Sequence, residues 1–190
     1  MATVRRIVGI GGTARDGSSS ERLMAAVLAA CARRGAETHA FGGAALAALP
    51  HFDPASPTRS PPQQKLVAAV RAADALVIAS PGYHGGVSGL VKNAIDLLED
   101  LRGDARCYFD GMPVGLIVSA AGWQAGGVTL GALRGIVHAM RGWPTPIGIA
   151  VNTVEQHPFA ADGSIADPAI AAQIAAQADQ LTRFALAAAA

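Results

Sequence analysis

The sequence has little of several features that mark common classes of protein. It holds two cysteines in 190 residues, and Cys31 and Cys107 form no repeated spacing, so neither a disulfide framework nor a metal site is expected. Acidic and basic residues nearly cancel to a formal net charge of +1, and the basic residues are scattered, which disfavours nucleic acid as a partner. No stretch reaches the roughly 20 apolar residues of a membrane span. We therefore expect no nucleic acid, no membrane, no metal and a reducing, cytoplasmic location.

An alternation of apolar runs and helical segments is what the sequence does contain, over a length typical of one α/β domain. Strands are predicted over 4–11, 37–41, 75–79, 114–119 and 147–151, and helices over 20–34, 63–72, 88–101, a segment ending near 140, and 168–188. Residues 42–62, which are rich in proline, are predicted to form a long surface connection. Short crossovers between strands predict a doubly wound α/β fold with a five-stranded parallel sheet, helices on both faces and a single domain over residues 1–190.

The loop after the first strand, Gly11 to Glu21, combines hydroxyl side chains and an arginine directly before a helix. Hydroxyls, free backbone N–H groups and the positive end of a helix dipole all favour a phosphate. Arg15 would add a charge-assisted contact. Ser18 and Glu21 also fit a capping box, but capping does not account for Thr13, Arg15 and Ser20 together, so we predict a phosphate site here.

A dinucleotide fingerprint competes for the same position. The run Gly9-Ile10-Gly11-Gly12-Thr13-Ala14 matches G-x-G-x-x-[GA], and Glu37 follows near where a ribose-binding acid would be sought. That fingerprint requires a helix to begin within the glycines, whereas residues 16–18 keep the chain in a loop. A dinucleotide-dependent dehydrogenase therefore remains an alternative of lower rank.

A second glycine-rich loop follows the third predicted strand. Residues 80–89 hold one proline, four glycines and Tyr83, and the chain is expected to leave the core at Ser80. In open α/β sheets ligands bind outside the carboxyl ends of the strands, and glycines there let a flat ligand approach the main chain. Residues 120–127 form a third such exit, so three loops are predicted to meet at one edge of the sheet.

Three motifs together resemble those of the NAD(P)H-dependent FMN reductase family. They are Gly12-Thr13-x-Arg15-x-x-Ser18-x-Ser20, then Pro81-x-Tyr83-x-Gly85-x-x-x-Gly89-x-x-Lys92-Asn93-Ala94-Ile95-Asp96, and then Pro113-Val114-Gly115 with Gly126-Gly127. The likeness covers about residues 4–151, and its middle motif is the most specific part. It implies a flavodoxin-like fold with strand order 2-1-3-4-5, FMN as cofactor and NADPH or NADH as hydride donor. A flavin, a quinone or a similar small molecule would be the electron acceptor.

The resemblance also implies which residues bind the flavin. Residues at the family's phosphate positions are Thr13, Arg15, Ser18 and Ser20, and those along the isoalloxazine ring are Pro81, Gly82, Tyr83, His84 and Gly85. Ser119 to Gly122 would close the opposite side. Hydride passes directly from nicotinamide to flavin in such enzymes, so the cofactor carries the chemistry and no catalytic side chain is nominated. Lys92, Asn93 and Asp96 are expected to make structural hydrogen bonds.

The sequence departs from the family at four of these positions. The family often has an acidic residue at Gly82, asparagine at His84, proline at Ser88 and asparagine at Ser20. Each change alters a polar contact, and one hydrogen bond contributes about 0.5 to 1.5 kcal/mol. Weaker binding of FMN, as a substrate that exchanges instead of a fixed cofactor, is therefore an alternative. Trp123 is expected to shelter the ring, to contact another subunit or simply to pack against neighbouring residues.

The predicted helix over 88–101 has a wide apolar stripe that includes Val91, Ile95 and Leu98. Because the resembled family forms dimers or tetramers through this helix, we expect a homodimer or homotetramer. An FMN-binding electron carrier without nicotinamide activity is a further alternative. Such carriers show an acidic surface and paired aromatic residues, whereas this chain is nearly neutral with 5% aromatic residues.

Overall fold

The computed structural model describes residues 4–184. Its strands are β1 (Arg6–Gly11), β2 (Glu37–Phe41), β3 (Ala75–Tyr83), β4 (Gly86–Val87), β5 (Pro113–Ala120) and β6 (Trp143–Asn152). Its helices are α1 (Ser19–Ala32), α2 (Gly43–Ala47), α3 (Pro61–Arg71), α4 (Gly89–Asp96), α5 (Trp123–Ala139) and α6 (Pro168–Arg183). A 3-10 turn over Leu97–Leu101 continues α4. The predicted C-terminal part of the last helix, 185–188, lies outside the described residues.

The main sheet runs in the order β2-β1-β3-β5-β6, with all neighbours parallel. The two-residue strand β4 pairs antiparallel with the end of β3. Without β4, the five parallel strands have the predicted order 2-1-3-4-5, so the predicted doubly wound sheet is confirmed. Their carboxyl ends share one edge, which brings the loops after β1, β3 and β5 together.

Hydrophobic side chains from alternate strand positions fill a core on each face of the sheet. Ile7 and Val77 point to the layer under α1 and α6, whereas Val8 and Leu76 point to the layer under α3, α4 and α5. Because successive residues of a strand face opposite ways, a strand buried on both faces is apolar throughout. This explains why the apolar runs identified the strands.

Three predicted boundaries were wrong. The chain does not leave the core at Ser80, because β3 continues to Tyr83 and Pro81 pairs in register with Ser119. β6 begins at Trp143 rather than near residue 147. The exit predicted over 120–127 is shorter, because α5 already begins at Trp123.

The connection over residues 42–62 is not merely a surface segment. It contains α2, and Leu46 and Leu49 are buried in the same core as α4. The backbone N–H of Phe52 donates to Asn93 Oδ1 at 2.8 Å, and Asn93 Nδ2 donates to the Pro50 carbonyl at 3.1 Å. These contacts hold the connection against α4. The structural role expected for Asn93 is confirmed.

This packing removes the sequence argument for oligomers. Val91, Ile95 and Leu98 are buried within the chain, with 0 to 3% of their surface exposed. Their apolar stripe is wide because both sides of α4 are covered by the chain's own elements. Lys92 and Asp96, four residues apart, form an ion pair of 2.6 Å on the exposed side, as expected for structural residues.

Titratable groups away from the sheet edge are also affected by their surroundings. Burial in α1 raises the pKa of the Cys31 thiol to about 11. A hydrogen bond of 2.8 Å to Glu99 raises the pKa of Tyr108.

Within residues 4–184, no helix combines the length and apolar character needed to cross a membrane. The same range holds no group of three His, Cys, Asp or Glu residues suited to a metal ion.

Candidate functional site

A cleft of about 530 Å³ opens at the carboxyl edge of the sheet. Its volume lies within the range of about 300 to 1,000 Å³ that is usual for small-molecule sites. Nine of the eleven predicted binding residues line it: Thr13, Arg15, Ser18, Ser20, Pro81, Gly82, Tyr83, His84 and Ser119. The three predicted loops therefore converge on one cavity.

The loop after β1 forms the polar end of the cleft. The Thr13 hydroxyl accepts the Arg15 backbone N–H at 3.1 Å, which closes a tight turn before Gly17, whose φ is +62°. The Ser18 and Ser20 hydroxyls lie 3.4 Å apart, and the two residues are 2% and 0% exposed. Two buried hydroxyls, with Arg15 on the rim, thus face the cleft at the first turn of α1.

The alternative explanation of this loop as a capping box is wrong. Ser18 is the N-cap residue of α1, but its side chain makes no capping hydrogen bond. Glu21 instead lies against the next loop of the fold, with its carboxylate close to Gly12 and Gly42. Because the first backbone N–H groups of a helix have no partner within the helix, this terminus keeps unpaired donors beside the two hydroxyls.

A β-hairpin rather than a loose loop forms the second wall. Gly82 pairs with Val87 and Tyr83 with Gly86, and the turn between them places His84 at φ +52° and Gly85 at φ +74°. Two consecutive left-handed residues are the signature of a type I′ turn. Tyr83, at the hairpin's end, is 59% exposed beside the cleft.

Buried hydroxyls hold the base of this hairpin. Ser80 Oγ accepts the Ser88 backbone N–H at 3.0 Å and donates to the Pro81 carbonyl at 2.8 Å. Ser88 in turn caps α4, because its Oγ accepts the Val91 N–H at 3.3 Å. This cap supplies a structural reason for serine at residue 88.

The third wall comes from β5, α5 and the segment after β6. Ser119, Ala120, Ala121 and Ala125 line it, as does Thr153, whose N–H and hydroxyl donate to the Ala120 carbonyl at 2.9 and 3.2 Å. Sequence reasoning missed Ser19, Ala125 and Thr153. The available signal for Thr153 was a polar residue just after the last parallel strand, at the edge where ligands bind.

Two of the predicted residues do not line the cleft. Gly85 is the second residue of the hairpin turn, and Gly122 adopts φ +128° as the N-cap residue of α5. Both are turn residues that shape the walls. Trp123 does not pack in the core: it is 51% exposed, and its Nε1 donates to Glu155 Oε2 at 2.8 Å.

The structure disfavours the dinucleotide fingerprint. α1 begins at Ser19, seven residues after Gly12, whereas a pyrophosphate-binding helix would begin within the glycines. Glu37 is the first residue of β2 and pairs with Arg6 at 3.4 Å. It therefore lies at the amino end of the sheet, opposite the cleft, and is not placed to bind a ribose there.

Comparison with known proteins gives a family for this arrangement. The model of the family described as NADPH-dependent FMN reductase matches residues 5–156, which include every residue that lines the cleft. An FMN-dependent NADPH-azoreductase of Staphylococcus aureus is 40% identical over 81 residues, which are 43% of this chain and 39% of that protein. The chain thus spans less than half the length of this curated relative.

Solved structures are similar over nearly the whole chain. A flavoenzyme NAD(P)H:(acceptor) oxidoreductase from Paracoccus denitrificans superposes with a TM-score of 0.75 at 21% identity, over 94% of this chain and 97% of that one. A flavodoxin of Streptococcus pneumonia superposes with a TM-score of 0.61 at 11% identity, over 92% of this chain and 97% of that one. At such identities the likeness establishes the flavodoxin-like fold. With the family match over residues 5–156, this shows that the chain belongs to the NADPH-dependent FMN reductase family.

Proposed function

We propose that the protein is an NAD(P)H-dependent FMN reductase that binds FMN in the cleft between the loops after β1, β3 and β5. Electrons would pass from NADPH or NADH to the flavin, and from there to free flavin, a quinone or a similar small acceptor. The family match supports the flavin and its donor. The order of the walls supports the orientation of the ligand, with its phosphate at α1 and its ring at the hairpin.

The observation that carries this proposal is the pair of buried hydroxyls at the N-terminus of α1. Ser18 and Ser20 are almost completely buried, and among residues 4–184 the hydroxyl of each has only the other as a side-chain partner, at 3.4 Å. Buried polar groups normally have hydrogen-bond partners. A phosphate would accept from both hydroxyls and from the free backbone N–H groups behind them, and Arg15 would contribute a charge-assisted bond.

The opposite end of the cleft suits a flat, mostly uncharged ring. Pro81 and Gly82 offer backbone with little side chain, Ala120 and Ala125 close the far wall, and Tyr83 stands at the mouth. FMN would supply the hydride-accepting chemistry at this end. The chain's own contribution is to bind, orient and partly shield the ring, so no side chain is assigned as a general acid or base.

Three further parts of the proposal rest on the sequence and, for the oligomer, on the family. We place the protein in a reducing cytoplasm as a single domain, where Cys31 and Cys107 stay as free thiols. We also retain the homodimer or homotetramer as a proposal, although the side chains first offered for that interface are buried. Light scattering at micromolar concentration tests it, and a monomeric mass would remove it.

The function is tested by titrating the purified protein with FMN and with riboflavin, following flavin fluorescence, and then by measuring oxidation of NADPH and NADH. We expect FMN to bind more tightly than riboflavin and nicotinamide oxidation to require flavin. Arg15→Ala should weaken FMN binding by about tenfold, since it removes one charge-assisted hydrogen bond. Arg33→Ala is the matched control, because Arg33 is an exposed arginine at the other end of α1.

Four results would contradict the proposal in different ways. Absence of flavin binding would remove the cofactor assignment. Equal affinity for FMN and riboflavin would remove the phosphate site. Flavin binding without nicotinamide oxidation would indicate an electron carrier, and oxidation that needs a carbonyl substrate but no flavin would indicate a dehydrogenase.

A further inference from the structure

Two segments meet backbone to backbone at the phosphate end of the cleft. One is the loop Gly12-Thr13 after β1, and the other is Gly42-Gly43 after β2, the N-cap and first residue of α2. A β-carbon placed on Gly43 would lie 1.7 Å from the Thr13 carbonyl oxygen, and one placed on Gly12 would lie 2.7 Å from the Gly43 nitrogen. Real β-carbons do not approach other atoms so closely, so this contact requires glycine on both sides.

The Glu21 side chain seals the same junction. A β-carbon on Gly42 would lie 2.1 Å from Glu21 Oε1, and one on Gly12 would lie 3.2 Å from Glu21 Oε2. Glu21 belongs to the first turn of α1 but does not line the cleft. Its carboxylate therefore fills the space behind the loop and away from the predicted phosphate.

We infer that the Gly42-Gly43 turn is a positioning element for the phosphate-binding loop, an inference that rests on the proposed function. The Thr13 backbone lies against Gly43, and the Thr13 hydroxyl accepts the Arg15 N–H at 3.1 Å. A shift of Thr13 would therefore also move Arg15. Neither Gly42 nor Gly43 lines the cleft, so the turn acts through Thr13 and Glu21.

The atoms that an added β-carbon would meet at each glycine predict how strongly each alanine variant weakens FMN binding. Gly43→Ala meets backbone, which cannot rotate away, so the Thr13 loop must move. Gly42→Ala meets the end of a flexible carboxylate, so it should have a smaller effect that Glu21→Ala in the same chain relieves. Gly103→Ala is the control, because a β-carbon there would meet nothing within 4 Å.

The experiment measures dissociation constants for FMN and riboflavin by flavin fluorescence on the wild type and these variants, with circular dichroism to confirm folding. The two flavins differ in the phosphate alone. A displaced phosphate-binding loop should therefore change the ratio of their dissociation constants, whereas general damage to the cleft should weaken both flavins equally. We expect Gly43→Ala to weaken FMN binding by about tenfold, equivalent to one charge-assisted contact, while riboflavin changes by less than about twofold.

Each result has a distinct meaning. If Gly43→Ala and Gly42→Ala keep the wild-type ratio of FMN to riboflavin affinity, the inference is overturned while the proposed function stands. If Gly43→Ala does not fold, the Gly42→Ala variant tests the inference instead. The inference is overturned if adding Glu21→Ala to Gly42→Ala does not restore the affinity for FMN. If the wild type binds neither flavin, the proposed function falls and takes this inference with it.

Discussion

Replacing Gly82 by alanine tests how tightly α5 closes over the end of β3. The new β-carbon would lie 3.0 Å from both Ala120 Cβ and Thr129 Oγ1, and 3.2 Å from the Ala125 carbonyl oxygen. All three distances are shorter than ordinary van der Waals contacts, and two of the atoms belong to α5. The methyl group therefore fits only if β3 and α5 move apart by a few tenths of an ångström.

The expected cost follows from two opposing effects. Overpacking of a well-packed interior typically costs about 1 to 3 kcal/mol, whereas alanine in place of glycine gains about 0.4 to 1 kcal/mol by restricting the unfolded chain. We therefore expect Gly82→Ala to lower the free energy of unfolding by about 1 to 2 kcal/mol.

Urea denaturation followed by circular dichroism measures this effect, with an unchanged dependence on urea concentration as evidence that only stability has altered. The matched control is Gly89→Ala, in the first turn of α4, where a β-carbon would meet nothing within 4 Å. That variant should be as stable as the wild type or slightly more so. If Gly82→Ala were equally stable, the packing of α5 on β3 would be looser than these distances require.

Two further predictions concern stability away from the cleft. Because burial raises the pKa of Cys31 from 9.0 to about 11, the folded chain keeps this proton where the unfolded chain loses it. Between pH 9 and pH 11 the wild type should lose about 2 kcal/mol more stability than Cys31→Ala, and parallel curves would contradict this. Arg59 donates two hydrogen bonds of 2.9 Å to the Asp100 carboxylate. Arg59→Lys should lower the free energy of unfolding, measured by urea denaturation, by about 1 to 2 kcal/mol. An unchanged urea midpoint would count against this.

The sheet could be predicted from the sequence because its strands are buried on both faces. Apolar runs such as Ala75-Leu76-Val77-Ile78-Ala79 are local signals, and parallel connections then leave few possible strand orders. The end of β3 could not be predicted in the same way. Pro81 and Gly82 read locally as turn residues, and they extend the strand only because β5 and β4 offer partners on either side.

In the site too, residues with a local sequence pattern could be predicted, whereas those placed by tertiary packing could not. The loops after β1 and β3 carry dense glycine and hydroxyl patterns, and nine of eleven predicted residues do line the cleft. Thr153 was missed because it follows a strand without such a pattern. The stripe on α4 was wrongly assigned to a partner subunit because nothing in that helix reveals that Leu46 and Leu49, some 40 residues earlier, cover it.

The hairpin at residues 82–87 has a consequence for the thermodynamics of ligand capture. Its backbone is already ordered by pairing between Gly82 and Val87 and by the Ser80 hydroxyl beneath it. A ligand that binds against this hairpin does not have to order its backbone, so little conformational entropy of the chain is lost on binding. The hairpin therefore adds no ordering step of its own to the exchange of one small molecule for another.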